Sequence, residues 1–141
     1  MNFKEIHIGS LIHQRVAESQ IKLPRICLFF QYSEEEIEHM YTQKDLSTDM
    51  LLRWSKLLKY DFFRLYTQHL ILYSPPSAFD PVPRQTQLPL FRKSIYTKEV
   101  IDFILNQFLS KKMTKDEIID RYKIPKTTLN KWLLKHTEQK K

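Results

Sequence analysis

From His7 onward the apolar positions of the chain recur at helical rather than strand intervals. Ile8, Leu11, Ile12 and Val16 lie three or four apart, with Arg15 and Glu18 on the opposite side, so His7 to Ser19 is predicted to be an amphipathic helix. Pro24 suits the opening of a short second helix whose Ile26, Cys27, Phe29 and Phe30 are expected inside, and Gln31 with Tyr32 makes the turn after it. Ser33 and Glu36 have the spacing of a capping box and start a third helix, with Ile37, Met40 and Tyr41 on its inner side. After a loop at Lys44, Asp45 and Leu46, Ser47 or Thr48 caps a fourth helix carrying Leu51, Leu52, Trp54, Leu57 and Leu58. Asp61 then caps a fifth with Phe62, Phe63, Leu65 and Tyr66, whose pattern leaves its end open between Leu70 and a break at Leu72 and Tyr73.

Between Ser74 and Ser94 the pattern stops. Pro75, Pro76, Pro81, Pro83 and Pro89 forbid helix and favour extended chain, which makes this stretch the expected domain boundary, with Leu88, Leu90 and Phe91 suited to anchor its end. Helical periodicity resumes at Thr97, a capping residue followed by a stripe of Val100, Ile101, Ile104, Leu105 and Phe108 ending near Lys111 and Lys112. Thr114 and Glu117 form a second capping box; Ile118, Ile119 and Tyr122 are the apolar side of the helix they open, Lys123 and Ile124 the turn, and Pro125 the start of a last helix to Lys135. The tail from Thr137 to Lys141 is expected to fray. The predicted fold is all-α: two small helical domains, 1–73 and 94–141, joined by a Pro-rich linker over 74–93.

The last two helices, separated by a tight turn, have the layout of a helix-turn-helix. Winding the final helix at about 100° per residue places Leu129, Trp132 and Leu133 toward a core. Thr127, Asn130, Lys131 and Leu134 lie opposite, with Thr128 and Lys135 flanking and Lys126 at the N-terminal end. Asn can pair with adenine in the major groove, Thr can meet a thymine methyl or a phosphate, and Lys serves guanine or phosphate. Lys126, Thr127, Thr128, Asn130, Lys131 and Lys135, with Lys115 from the preceding helix, are therefore the candidate DNA-binding residues. Charge strengthens this choice. The chain of 141 residues carries a net +7, and the excess is confined to one part of it. Residues 1–73 hold nine Lys and Arg against nine Asp and Glu, whereas residues 74–141 hold fourteen against seven.

Two resemblances follow. Gly9 before Leu11 and Ile12, then Ile26, Phe30, the Ser33-x-x-x-Ile37-x-x-Met40 pattern and the leucine-rich helix beyond resemble a lambda-repressor-like helix-turn-helix domain. Its third helix opens Glu34, Glu35, Glu36 and continues with Glu38, which suits packing or pairing rather than phosphate contact. The run Ile124-Pro125-Lys126-Thr127-Thr128-Leu129-Asn130-Lys131-Trp132 resembles the helix-turn-helix of insertion-sequence transposase accessory proteins. The stretches from Tyr60 and Leu70 are similar to short proteins of that kind. The resemblance implies double-stranded DNA as ligand and a separate transposase subunit as partner, in transposition or transcriptional regulation; a homodimer is expected because one small helix-turn-helix makes few phosphate contacts. The alternative from another class is a protein-interaction adaptor whose apolar first half binds a partner and whose basic C-terminal domain only solubilises it.

Nothing in the sequence points to an enzyme. His7, His13, His39, His69 and His136 are scattered without metal-site spacing, Gly9 as the only glycine excludes a phosphate-cradling glycine loop, and Asp116, Glu117 and Asp120 read as capping and surface charges. Catalytic residues, a metal and a cofactor are not expected. Cys27, the only cysteine, is expected to be a small core residue. The start MNFKEIHIGS lacks the basic and apolar runs of a signal peptide, and no stretch reaches the roughly 20 apolar residues of a membrane span, so the expected location is the cytoplasm and no membrane partner is foreseen.

Overall fold

A computed structural model describes residues 1–74, 86–89 and 96–140, and over these the chain is all-α, without a strand. The helices are α1 (Ile8–Ser19), α2 (Leu23–Phe30), α3 (Glu34–Tyr41), α4 (Thr48–Leu58), α5 (Phe63–Tyr73), α6 (Lys98–Leu109), α7 (Lys115–Tyr122) and α8 (Lys126–Gln139). Pro75, Pro76, Pro81 and Pro83 lie outside the described residues, as do Leu90, Phe91, Arg92 and Lys93. Leu88, expected to anchor the end of that stretch, is instead 75% exposed. The chain divides into two compact units, Asn2–Thr67 and Gln68–Lys141. The division falls inside α5, which runs unbroken to Tyr73.

In the first unit α3 packs against α1 and α2, and α1 also meets α4. Trp54 is fully buried, with the Phe30 ring 4.5 Å and the Tyr41 ring 6.0 Å from it, centroid to centroid. Ile8, Ile12, Ile26, Ile37 and Phe62 are also fully buried. Burial pushes the Tyr41 hydroxyl up to about 12, with the Glu38 and Cys27 charges adding to the shift. Of the two neighbouring phenylalanines expected inside, only Phe30 is; Phe29, about 100° away round the helix, is exposed. Cys27 is half-buried rather than a core residue, and Leu52 lies largely in solvent.

Arg53 covers this edge. Its guanidinium lies 4.9 Å from the Phe30 ring centroid and donates to the carbonyls of Phe29 at 3.3 Å and Phe30 at 3.5 Å, satisfying acceptors that the end of α2 leaves open. The turn from α2 to α3 uses Gln31 in the left-handed conformation, and Ser33 and Glu36 form the complete capping box. Helix ends usually assign such left-handed positions to glycine. Here Gln20, Gln31, Lys59 and Lys123 take them, while the one glycine stands within α1 at the closest approach of two elements.

The second unit is built on α6, α7 and α8, each of which touches the other two. Thr97 caps α6 and Thr114 with Glu117 makes a full capping box on α7. Val100, Ile104, Leu105, Ile118, Tyr122, Ile124 and Leu129 are buried. The C-terminal part of α5 belongs here by its contacts: Thr97 Oγ1 donates to Gln68 Oε1 at 3.3 Å, and the Tyr73 ring meets Phe103 edge-on at 6.3 Å.

Candidate nucleic-acid interface

The approach to α8 is set by two local devices. Lys123 closes α7 in the left-handed conformation (φ 53°), turning the chain sharply enough for α8 to begin three residues later. Ile124 is buried in the turn, and Pro125, with φ fixed near −59°, holds the extended N-cap position. Lys123 also pairs with Asp120 at 3.2 Å, so this cation serves the turn.

The start of α8 differs from those of the other two helices in the bundle. α6 opens with a hydroxyl cap and Glu99, and α7 with its capping box, Asp116 and Glu117; α8 has no side-chain cap and no acidic residue in its first turn. Pro125 O accepts from the amides of Thr128 and Leu129, while the amides of Lys126 and Thr127 have no partner among the described residues. A helix N-terminus carries about half a positive charge, and a lysine there costs stability that an acid would supply. Free amides beside a cation suit an anionic oxygen.

Along α8 the structure sorts the expected residues by exposure. Lys126, Thr127, Lys131 and Lys135 are exposed, and Thr128 and Asn130 are half-buried. No ion pair joins Lys126, Lys131 or Lys135 to any described residue, and the Asn130 carboxamide has no hydrogen-bond partner among them. Lys115 is the first residue of α7, on a different helix from the other six, with Nζ 5.7 Å from the Phe108 ring centroid. It is exposed, and no hydrogen bond or ion pair joins it to α8 among the described residues. Leu134, which the helical phase places on the same side as Asn130, is 65% exposed, although it had not been counted among the candidates.

On the inner side Leu129 is fully buried, whereas Trp132 and Leu133, expected with it in the core, are only half-buried. Trp132 lies at the margin, its ring edge-on to Tyr96 at 5.0 Å, so Leu129 and not the tryptophan is the buried anchor of α8. The C-terminal tail does not fray at Thr137: α8 continues to Gln139, and Thr137 Oγ1 bonds back to Leu133 O at 2.9 Å.

The acidic helix of the first unit presents the opposite chemistry. Glu36 is engaged by its capping box, while Glu34, Glu35 and Glu38 are exposed without ion pairs among the described residues. A hollow of about 700 Å³ beside them is lined by Tyr32, Glu35, His39, Met40 and Met50 among others. No group of three or more His, Cys, Asp or Glu among the described residues is placed to hold a metal ion, and no described helix is long and apolar enough to cross a membrane. No protein family, curated protein or solved structure matches the chain.

Proposed function

We propose that this chain binds double-stranded DNA, with α8 lying in the major groove and the Glu-rich first unit serving to pair or dock, as a transposase-related accessory protein or a transcriptional regulator. The observation that carries this reading is the outward face of α8, where unpaired amide, hydroxyl and ammonium groups follow one another behind an uncapped, lysine-bearing N-terminus and a tight turn. α2 also starts uncapped and without an acid, beside Lys22 and Arg25; what α8 adds is the run of exposed lysines, unpaired among the described residues, along its outward face. Phosphate contacts fall to Lys126, Lys131, Lys135 and Lys115, and base reading to Asn130 with Thr127 and Thr128 beside it.

One helix of this size makes few phosphate contacts, so two joined copies would gain affinity without any new contact. The adaptor reading draws support from a different place, the exposed Leu28 and Phe29 and the unpaired carboxylates of α3.

Reading and holding separate by mutation. Asn130→Ala is expected to relax preference at one or two base positions, at about 1 to 3 kcal/mol on the best site. Lys131→Ala should weaken all duplexes alike and lower the salt slope by about one unit. Affinities of both variants for the duplex selected from a random pool and for its scrambled version, over a salt series, make the comparison. If the two variants lost the same fraction of affinity on both duplexes, Asn130 would not read a base.

A further inference from the structure

Leu134 places an isobutyl group in water on the outward face of α8, beside Lys131 and Lys135. Leu134 is 65% exposed, and the packing of α8 is already served by Leu129, Trp132 and Leu133 on the other side. Its neighbours along the outward stripe are Thr127, Asn130 and Lys131, so the four residues stand at i, i+3, i+4 and i+7 of one helix face. That is the spacing at which a helix seated in a major groove presents side chains to successive base edges. A single exposed leucine is ordinary on a protein surface. This one continues a stripe of unpaired amide and ammonium groups.

We infer that Leu134 reads the C5-methyl of a thymine lying within about two base pairs of the base contacted by Asn130. This rests on the DNA-binding reading above and adds to it the composition of the site. The C5-methyl of thymine is the apolar group that base pairs present in the major groove, and it is where an aliphatic side chain gains rather than loses on entering. Asn130 and Leu134 are four residues apart, a rise of about 6 Å along the helix. Base pairs follow one another at about 3.4 Å, so the amide and the isobutyl group reach neighbouring steps. With the carboxamide favouring adenine and the isobutyl group favouring thymine, the preferred core of the site is rich in A·T pairs.

The test uses the full chain and the duplex that it enriches from a random pool, resynthesised with each thymine in turn replaced by deoxyuridine. This removes one methyl group and leaves every phosphate and every Watson–Crick hydrogen bond. The wild-type chain is expected to lose about 3- to 5-fold in affinity at one thymine position, the equivalent of one buried methyl, and Leu134→Ala to bind the thymine and deoxyuridine duplexes equally. Because Leu134 is exposed, the alanine variant should keep the wild-type thermal midpoint, which excludes unfolding as the cause.

If no thymine position responded in the wild type while Asn130→Ala still relaxed base preference, the inference would be overturned and the DNA-binding reading kept. A response that persisted in Leu134→Ala would assign the methyl contact to another residue, and overturn it too. So would a wild-type oligomer that fell apart on Leu134→Ala with no thymine response, since Leu134 would then cover a protein surface. Failure of the chain to retain any duplex at low salt would instead remove the reading on which it rests.

Discussion

Gly9→Ala is expected to destabilise the first unit by about 1 to 3 kcal/mol, the range of an overpacked contact. A Cβ built at this position would lie 2.4 Å from Met40 O and 2.6 Å from both Tyr41 O and Gln43 O. All three are backbone atoms at the end of α3, so no side-chain rotation relieves the contact. The same approach carries the hydrogen bonds Ile8 N to Lys44 O at 3.1 Å and Gly9 N to Gln43 O at 3.0 Å, and moving the chain apart would break them. Helix propensity alone predicts the opposite sign, since alanine within a helix is favoured over glycine by up to about 1 kcal/mol. Thermal unfolding followed by circular dichroism decides between them: a midpoint raised by the substitution would mean that α1 and the end of α3 do not meet this closely.

Leu129→Ala is expected to cost about 2 to 5 kcal/mol, as deletion of a fully buried leucine does, and to abolish DNA binding by releasing α8 from α6 and α7. Trp132→Ala should cost less, about 1 to 3 kcal/mol, because that ring is only partly buried, at the margin of the bundle against Tyr96. The order of the two thermal midpoints is the measurement. Should Trp132→Ala prove the more damaging variant, the tryptophan would be the anchor, and α8 would be rotated from the phase described.

Local signals in the sequence carried the helices well, and tertiary ones were beyond it. Ser33 with Glu36 and Thr114 with Glu117 were legible because a capping box is a matter of four consecutive residues. The outward face of α8 was legible because helical phase follows from spacing alone. What periodicity cannot supply is the width of the covered side. A three-helix bundle encloses one face of each helix, and Trp132, although on the inner half, sits at the edge of that cover. Phe29 and Phe30 show the same limit, since both are equally apolar and only the packing of α2 on α3 selects one. The role of Gly9 was illegible for a related reason: its neighbours are carbonyls more than 30 residues away. The division of α5 between Thr67 and Gln68 likewise rests on contacts of Gln68 and Tyr73 that no helical pattern announces.

The central claim is that the basic face of α8 meets a polyanion, and the binding of the full chain to a random-sequence duplex over a series of salt concentrations tests it most directly. Neutralisation of three or four phosphates by Lys126, Lys131, Lys135 and Lys115 predicts retention at low salt and a slope of log affinity against log salt of about −2.7 to −3.6. No retention at the lowest salt, or retention that salt does not weaken, would contradict the account and leave the first unit, with its exposed Leu28 and Phe29 and its acidic α3, as the working surface of a protein-binding adaptor.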